Sequence, residues 1–600
     1  MDDPKVPVVR ALATRPDLWV FRGSLVTAAH IAPWPREADD VDLIALPHLT
    51  HATGLDALEA LFGTREHEVI WAETDSPGLR LQIGTVQVDL AFGDPIVPDP
   101  IPLEVLGMPV SAVRIESMIA WKLHGLFENE SRAWRPKDLA DLHDLLVRPP
   151  RLDSAALDRA LETAFVSRDA PFRLTDRLRT REMGRTRGSR KTWTRYLRNH
   201  PERRAQDLPD VLDTVAAHLE PHLEPLRRTE PDPTPFAVDL TLAEVEALTR
   251  DHPGFACFEH GPLRVFATTR NTAVEDPSRA ITHREHRRRQ VLRECRGLTF
   301  HADGRLLSRK LHRFAGFSEK DVPPGAPRAV EKLDGSMVSP LVLDGTVRLV
   351  TRRGPSELGD RATPLLTDRA RRVFRDLLAR DQTPVLEWTS RSHRIVLAHP
   401  EDRLTLLAVR DHATGAYGDW DALAEIAADA GLPVPRTLGR IADPVAFAAE
   451  VRAQTDGEGW VLQWDDGTWM KLKSDRYRRL HRVVEGPDAE RALWAAVLHG
   501  EGALAEEALA ARGIPVAPAV HALEDGLAEL AERVRADVAG RTDDPAARAE
   551  LARRTAELPA AERRLRFRAW DGDDPDALVR EVVRDLVRID FAQARALLGR

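Results

Sequence analysis

The sequence predicts a protein of several domains, in which α/β (α+β) domains are followed by an all-α C-terminal domain. The chain has 600 residues, enough for about three or four domains. Apolar strand patterns occur up to about residue 486, whereas residues 487–600 are rich in Ala, Leu, Glu and Arg at helical spacing. A Pro-rich stretch at 229–236 interrupts the chain, because proline cannot continue a helix. We therefore expect four segments: 1–228, the linker 229–236, 237–486 and 487–600.

Composition narrows the class of protein. The formal net charge is −9, so any polyanion partner has to be bound by local basic clusters rather than by overall charge. Two cysteines, Cys257 and Cys295, give no disulfide framework and fit a reducing cytoplasm; we expect Cys295 to be buried and inert. We find no apolar leader, membrane-spanning run, zinc-type spacing or P-loop. A membrane partner and a built-in kinase are therefore not expected.

A predicted strand of the second region ends in the motif Lys-x-Asp-Gly-Ser, at Lys332 to Ser336. A lysine amine is a nucleophile only after it loses its proton, and burial or nearby cations lower its pKa enough for that. Gly335 allows the backbone to approach a phosphate closely. The motif is consistent with covalent nucleotidyl transfer. Taken alone, it is equally consistent with an ordinary hairpin turn.

Further charged segments follow in order and favour the chemical interpretation. Residues 347–354 form a strand pattern that ends in two arginines, and Glu387 lies on the strand 384–390. Glu458 stands at the entry of another strand, and Lys471 and Lys473 share one face of a third because strand side chains alternate. A triphosphate needs cations around it, and a divalent metal needs hard oxygen ligands.

On these motifs the chain resembles the covalent nucleotidyltransferases, namely polynucleotide ligases and capping enzymes. Glu294-Cys-Arg-Gly-Leu298, Ser308 to Phe314 and Glu387 to Leu397 are similar to segments of the phage T4 RNA ligase 1 group. The resemblance covers about residues 240–485 and implies an adenylyltransferase domain with antiparallel sheets. Two positions depart from it, because Arg313 and Arg353 stand where lysines that contact ATP phosphates are expected, and arginine differs in geometry.

The resemblance implies that Lys332 carries AMP and that RNA with 5′-phosphate and 3′-OH ends is sealed. It implies ATP and Mg²⁺ or Mn²⁺ as cofactors, RNA (tRNA among the candidates) as partner, and a separate polynucleotide kinase/phosphatase that prepares the ends. The catalytic set it implies is Lys332, Asp334, Glu387, Glu458, Lys471 and Lys473, with Glu458 also a metal ligand. The ATP-binding set is Arg296, Arg313, Gly335 and Arg353.

The first region carries a second cluster of acids. Asp40 and Asp42 lie two apart on one strand pattern, and Asp89 lies on another. Three convergent carboxylates suit metal-assisted phosphoryl transfer. A single Asp-x-Asp more often faces solvent, but Gly23-Ser24 upstream and Asp89 downstream favour a metal site.

Residues 15–225 resemble the polymerase-β-like nucleotidyltransferases, and among them the AbiEii-type toxins. Gly23-Ser24, the three acids, a helix with Lys122, and Lys137 in the late Lys-Asp-x-x-Asp element carry this resemblance. It implies binding of an NTP at Gly23, Ser24, Lys122 and Lys137, metal at Asp40, Asp42 and Asp89, and nucleotide transfer to an acceptor such as an RNA 3′ end.

Two segments carry no motif. Residues 177–204 are rich in Arg and Lys, with Trp193 and Tyr196 among them; they fit either single-stranded nucleic acid binding or a solvated helix face. Residues 488–600 are expected to form a structural helical bundle, with RNA binding as the alternative.

Three other functions compete with RNA sealing. One is a DNA ligase or capping enzyme, which the Glu-Cys-Arg-Gly segment disfavours. The second is a toxin-type nucleotidyltransferase in phage defence whose ligase domain targets or restrains it. The third is an RNA-binding protein with decayed sites, which the intact acids and lysines disfavour.

Overall fold

The computed structural model describes residues 3–31, 38, 40–70, 77–128, 134–148, 152–180, 184, 187–203, 206–230, 234–269, 272–486, 488–542 and 544–599. The chain divides into two compact units. The first comprises Met1–Pro233 and Asp276–Arg289, and the second comprises Thr234–Glu275 and Gln290–Arg600. The chain contains both β-sheets and α-helices, which confirms the expected multidomain α/β (α+β) fold class.

The first unit is built on one mixed sheet. Its strands are β1 (Trp19–Arg22), β2 (Asp40–Ala45), β3 (His67–Ile70), β4 (Gly78–Ile83), β5 (Val86–Ala91), β6 (Ile101–Val105) and β7 (Met108–Ala112). They follow the order β3-β4-β5-β2-β1-β7-β6. The pairs β2–β5 and β1–β7 are parallel, and the other neighbouring strands are antiparallel.

Helices pack against this sheet and complete its core. They are α1 (Lys5–Leu12), α2 (Gly23–His30), α3 (His51–Phe62), α4 (Ile115–Gly125), α5 (Pro136–Val147), α6 (Ser154–Val166), α7 (Asp176–Arg179), α8 (Arg187–Asn199) and α9 (Leu208–Thr229). In β2 the side chains of Val41 and Leu43 are buried in the core. Because strand side chains alternate, Asp40 and Asp42 share the opposite face.

The second unit contains three antiparallel sheets of four strands. Their orders are β11-β10-β9-β8, β17-β12-β18-β19 and β14-β13-β15-β16. The strands are β8 (Phe255–His260), β9 (Leu263–Thr268), β10 (Arg296–His301), β11 (Leu306–Ser308), β12 (Arg328–Lys332), β13 (Ser336–Leu343), β14 (Thr346–Val350), β15 (Gln382–Thr389), β16 (Arg403–Asp411), β17 (Thr437–Arg440), β18 (Gly459–Gln463) and β19 (Trp469–Lys473).

Helices flank these sheets and make up the rest of the unit. They are α10 (Leu242–Thr249), α11 (His283–Glu294, which contains the unit boundary after Arg289), α12 (Glu357–Ala362), α13 (Asp368–Leu378), α14 (Trp420–Ala430), α15 (Pro444–Ala453), α16 (Asp475–Glu485), α17 (Ala489–Leu498), α18 (Gly502–Ala510), α19 (Ala517–Asp537), α20 (Pro545–Arg554), α21 (Ala560–Asp571), α22 (Pro575–Ile589) and α23 (Phe591–Leu597). Within the parts of 488–599 that the structure describes, every regular element is helical, as the sequence predicts. Among all the described helices, none has the length and apolar character needed to cross a membrane.

Candidate active sites

The lysine of the Lys-x-Asp-Gly-Ser motif meets one of the predicted acids. Lys332 is the last residue of β12, where it lies opposite Gly459 of β18. Its Nζ donates to Glu458 Oε1 at 2.8 Å. The Glu458 side chain is 3 % exposed, whereas that of Lys332 is 24 % exposed. The amine is therefore held by a buried carboxylate but is still reachable from solvent.

The paired lysines of β19 come to the same acid. Lys473 lies opposite Gly459, and its Nζ donates to Glu458 Oε1 at 2.9 Å. One carboxylate oxygen thus serves two ammonium groups. The second lysine, Lys471, is on the same face of β19. Burial, together with the positive charges of Arg296 and Lys473, lowers its pKa to about 8.

Glu387 of β15 is the other predicted acid at this site. Burial raises its pKa to about 7, an effect that Lys332 opposes and Glu458 increases. Arg296, at the start of β10, also interacts with Glu387 and Glu458, and burial lowers its pKa. The structure therefore brings six charged groups around the end of β12: Arg296, Lys332, Glu387, Glu458, Lys471 and Lys473.

Asp334 has a different surrounding. Its Oδ2 accepts from the backbone amides of Val396 at 2.9 Å and Leu397 at 2.6 Å. Its Oδ1 accepts from the hydroxyl of Tyr477 at 2.5 Å. The buried carboxylate is fully engaged inside the protein, so it braces the turn that follows Lys332 rather than facing the open site.

Gly335 fits where a larger residue would not. A Cβ at this position would lie 2.4 Å from the carbonyl oxygen of Trp388. The next residue, Ser336, begins β13, which pairs with β15. The absence of a side chain therefore allows β13 to approach the strand that carries Glu387.

Arg313 and Arg353 contact a different part of the unit. The Arg313 guanidinium donates to the backbone carbonyls of Thr272 and Ala273 and lies over the ring of Phe255. Arg353 is exposed, with its guanidinium 5.3 Å from the ring centroid of Phe258. Their predicted contacts to ATP phosphates stay predictions.

Sequence reasoning missed two residues at this site. Tyr477 binds Asp334, and its ring lies 4.8 Å below Nζ of Lys473. Arg352 interacts with Arg296, whereas the sequence predicts its neighbour Arg353 as the ATP-binding residue. Tyr477 follows the highlighted strand 469–473 and Arg352 lies within the highlighted segment 347–354, but only the folded chain shows which groups these side chains meet.

The three acids of the first unit also converge. Asp42 of β2 lies opposite Asp89 of the parallel strand β5. Carboxylate oxygens of Asp40, Asp42 and Asp89 lie within 4.8 Å of one another, and this donor set fits Mg²⁺ or Mn²⁺. Asp89 is held from the side by Arg80, which donates to both of its oxygens at 2.9 and 2.8 Å.

Electrostatics at this cluster favour a bound cation. Burial and the negative charge of Asp40 raise the pKa of Asp42 to about 6, whereas Arg22 and Lys122 lower it. Close carboxylates repel one another, and a divalent ion removes that repulsion. Asp40, Asp42 and Asp89 could therefore hold a metal ion.

The turn before α2 packs directly on these acids. Gly23 has a φ of +75°, and a Cβ there would lie 1.9 Å from Oδ2 of Asp42. Ser24 Oγ donates to Asp40 Oδ1 at 3.3 Å. Glycine is thus required by both conformation and space, and the predicted Gly-Ser element lies at the acidic cluster.

The two predicted lysines of the first unit have different environments. Lys122 of α4 donates to Asp141 at 2.8 Å and to Asp138 at 3.4 Å, both on α5. It also interacts with Asp42. Lys137 is exposed in the first turn of α5. The structure thus joins Lys122 to the late Asp-x-x-Asp pair, and Lys137 faces solvent.

The aromatic residues of the basic stretch 177–204 are buried. Trp193 is 3 % exposed and Tyr196 is 8 % exposed, and the Trp193 ring stacks on Trp134 at 6.2 Å. Residues 181–183, 185–186 and 204 of this stretch lie outside the described residues. Of the two interpretations, the structure favours a packed helix with a solvated face.

Comparison with known families supports the expected AbiEii-like segment of the chain. Residues 9–217 match the family model described as "Nucleotidyl transferase AbiEii toxin, Type IV TA system". This confirms the expected AbiEii-like nucleotidyltransferase segment, which was placed at about 15–225.

A curated relative confirms the expected similarity to RNA ligases. A "Putative RNA ligase" of Thermovibrio ammonificans is 31 % identical to this chain over 205 residues. The match covers 32 % of this chain and 53 % of the relative, so the chain spans about half the length of that protein. The finer resemblance to the phage T4 group stays a prediction.

Solved structures that are similar to this chain include ligases. The match to an archaeal ATP-dependent RNA ligase covers 58 % of this chain and 90 % of the archaeal chain, at 15 % identity and a TM-score of 0.31. A Naegleria gruberi RNA ligase solved with ATP and Mn matches 26 % of this chain and 52 % of its own length, at 17 % identity and a TM-score of 0.23.

Proposed function

We propose that the chain is an ATP-dependent RNA ligase that seals 5′-phosphate and 3′-OH ends through a lysyl-AMP intermediate. The observation that carries the proposal is the pair of contacts at Glu458, whose Oε1 accepts from both Lys332 and Lys473. A nucleophilic amine, a second cation and a buried acid are thereby fixed within a few ångströms of one another. The similarity to an RNA ligase supports the same chemistry.

The first step would form the intermediate. The neutral amine of Lys332 attacks the α-phosphorus of ATP, an N–P bond forms, and the bond to pyrophosphate breaks. The amine must give up a proton before it attacks, because only the neutral amine is a nucleophile. Glu458 would hold a Mg²⁺ or Mn²⁺ ion that stabilises charge at the phosphate.

The second and third steps would use the same site. AMP passes from Lys332 to the 5′-phosphate of the RNA, and the 3′-OH then attacks this activated end as AMP leaves. Lys471, Lys473 and Arg296 would neutralise the phosphate oxygens as charge shifts, and Glu387 would bind the ribose or organise the metal. Asp334 would keep the Lys332 turn in place, and Gly335 would let the phosphate approach.

For the first unit we propose transfer of a nucleotide from an NTP to an acceptor, with an RNA 3′ end as the candidate. Asp40, Asp42 and Asp89 would hold the metal, and the NTP would be bound by Gly23, Ser24, Lys122 and Lys137. The match of residues 9–217 to the AbiEii family supports this role. Repair of tRNA, together with a separate kinase/phosphatase that prepares the ends, is the process we propose for the two activities.

A second candidate is a toxin-type nucleotidyltransferase in phage defence, with the ligase unit targeting or restraining it. The AbiEii match and the convergent acids favour it. Expression of the wild type and of two variants in a host distinguishes the candidates. Growth arrest abolished by Asp42→Ala but retained by Lys332→Ala would favour the toxin; no arrest with any of the three would favour repair.

The ligase proposal is tested with ATP labelled at the α-phosphate, incubated with the full chain and Mg²⁺. We expect label on the wild type, none on Lys332→Ala, and wild-type labelling on Lys320→Ala, an exposed lysine of the same unit that serves as a matched control. Absence of label on the wild type, or undiminished label on Lys332→Ala, would refute the proposal. Sealing of nicked RNA compared with nicked DNA then identifies the substrate.

A further inference from the structure

Helix α8 of the first unit has one strongly cationic side. It spans Arg187–Asn199, and its described sequence RGSRKTWTRYLRN contains no Asp or Glu. The exposed basic residues are Arg187, Arg190, Lys191, Arg195 and Arg198. At about 100° per residue they fall within an arc of about 140°, and the strip they form is about 17 Å long.

The opposite side of α8 fixes this orientation. Trp193 and Tyr196 are buried, and the Trp193 indole donates to the carbonyl of Gln206 at 3.1 Å. The Trp193 ring stacks on Trp134, just before α5. Because these aromatic anchors hold the helix, the cations are presented to solvent as a fixed strip rather than on a mobile segment.

The strip differs from the other basic helix of this unit. In α9, Arg227 pairs with Glu220 and Arg228 pairs with Glu224, so acids on the same helix offset the positive charges. In α8 the helix itself supplies no such acid. On a chain with a net charge of −9, a one-sided group of five cations creates a local positive potential that suits an anionic partner.

The buried aromatics decide which partner fits. Proteins that bind single strands use exposed aromatic rings on which bases stack, and α8 offers none, because Trp193 and Tyr196 are inside the core. What it offers is a row of long basic side chains, which contact phosphates whatever the sequence. Structured, base-paired RNA presents its phosphates outward along such a row.

Contacts also connect α8 to the acidic cluster. Arg203, just after α8, donates to Asp144 of α5 at 2.6 Å and lies 3.9 Å from Asp141. Asp141 in turn accepts from Lys122, which interacts with Asp42 of the metal cluster. The cationic helix is thus attached to the same scaffold that positions the candidate metal site.

We propose that the exposed cations of α8 form a docking surface for the phosphate backbone of structured RNA. Binding at this surface does not depend on catalysis. Only its purpose, presenting an RNA 3′ end to the acids of the first unit, rests on the nucleotidyl transfer proposed above.

The test measures RNA binding by the full chain, without ATP or any NTP. A fluorescein-labelled RNA hairpin is titrated with protein at several salt concentrations, and anisotropy gives the affinity. The variant R187Q/K191Q/R195Q/R198Q removes four charges from the strip. The control R10Q/R65Q/R159Q/R228Q removes four exposed charges elsewhere in the same unit. Circular dichroism and melting temperature check that both variants fold.

We expect the strip variant to bind the hairpin at least about tenfold more weakly at low salt. Its plot of log affinity against log salt should be flatter by up to about 3.6, since each of the four lost phosphate contacts removes about 0.9 from the slope. The control should match the wild type. Measuring the difference in slope separates this surface from any RNA contact in the second unit.

Three results would overturn the proposal. The first is a strip variant that binds the hairpin as tightly as the wild type, and the second is a control variant that loses as much affinity. The third is displacement of the hairpin by poly-L-glutamate at equal charge concentration, which would assign the strip to acidic protein chains. Loss of binding in the strip variant with normal ATP labelling would support the docking surface whether or not the first unit transfers nucleotides.

Discussion

At the scale of single residues, the carboxylate of Glu458 is central to the ligase site. It is buried and accepts from two lysines, so its negative charge offsets two positive charges that would otherwise repel each other. The same carboxylate is the one expected to bind a divalent metal during the reaction. These two roles make the charge of Glu458, and not only its shape, important.

Replacing Glu458 by glutamine tests this role directly. The amide keeps the shape but cannot balance the lysines or hold the metal, so we expect Lys332 labelling by ATP to fall about 100-fold or more. Glu331→Gln, a neighbour of Lys332 on β12 whose side chain is partly exposed beside Arg436, is the matched control and should label normally. Equal labelling rates for wild type and Glu458→Gln would show that the charge is not needed.

Glu387 gives a prediction about pH and stability. Burial raises its folded pKa to about 7, above the ordinary value of 4.5, so between these two pH values the folded state holds a proton that the unfolded state has released. The stability contributed by this group is therefore complete below pH 4.5 and is lost as pH rises toward about 7.

We therefore expect the melting temperature to fall less in Glu387→Gln than in the wild type when the pH rises from 5 to 7. Calorimetry of the unfolding transition of the second unit measures this fall. Glu401→Gln, an exposed acid of the same unit, should follow the wild-type curve. Parallel curves for wild type and Glu387→Gln would contradict the raised pKa.

At the scale of elements, the segment from Ser390 to His399 links the reactive turn to the C-terminal helices. Its amides at Val396 and Leu397 bind Asp334, while the Val396 side chain packs in the core formed with α16 to α19 and α21 to α23. Arg394 adds an ion pair with Glu507 of α18 at 2.7 Å. The helical segment is thus structurally tied to the turn that carries Lys332.

Shortening the buried side chain tests this link. Val396→Ala should destabilise the second unit by about 2 kcal/mol and reduce Lys332 labelling, because the amides that hold Asp334 lose their support. Val342→Ala removes the same atoms from a valine that is 44 % exposed and should change neither property. Stability lost without any change in labelling would show that the segment does not position the turn.

The strand pairing in the mixed sheet of the first unit leads to a prediction about metal binding. Parallel pairing of β2 with β5 places Asp42 opposite Asp89. Asp42→Asn should weaken Mn²⁺ binding about tenfold or more, since even indirect contacts to a metal site are worth that much. Asp17→Asn, an exposed acid, is the control.

The same site should depend on pH. Because the pKa of Asp42 is about 6, protons compete with Mn²⁺ below that value, and the affinity of the wild type should rise between pH 5 and 7. Calorimetric titration measures both effects. A site that is indifferent to Asp42→Asn and to pH would exclude the three acids as ligands.

Strand patterns and motif order predicted most residues of the ligase site. The contacts that the sequence did not predict were missed for a physical reason. Lys332, Glu387 and Glu458 could be found from the order of their motifs, and Lys471 and Lys473 because period-two alternation places them on one face of a strand. Tyr477 could not, since its bond to Asp334 joins residues 143 positions apart and no local pattern encodes that contact. For the same reason the engagement of Asp334 by backbone amides was not predictable.

At the scale of the whole molecule, the chain has two compact units, each with its own group of acids and cations. The first unit's main part ends at Pro233, inside the predicted linker 229–236. The assignment of Asp276–Arg289 to the first unit was not predictable, because it depends on distant contacts. The amide of Arg284, for example, donates to Asp169 at a separation of 115 residues.

The central claim is that Lys332 becomes covalently adenylylated, and the most direct measurement is mass spectrometry of the digested full chain after incubation with ATP and Mg²⁺. The account predicts AMP on the peptide that contains Lys332, in the wild type and equally in Asp42→Ala, because the first unit has its own site. AMP on Lys310, Lys471 or Lys473 instead, or no modified lysine at all, would contradict it.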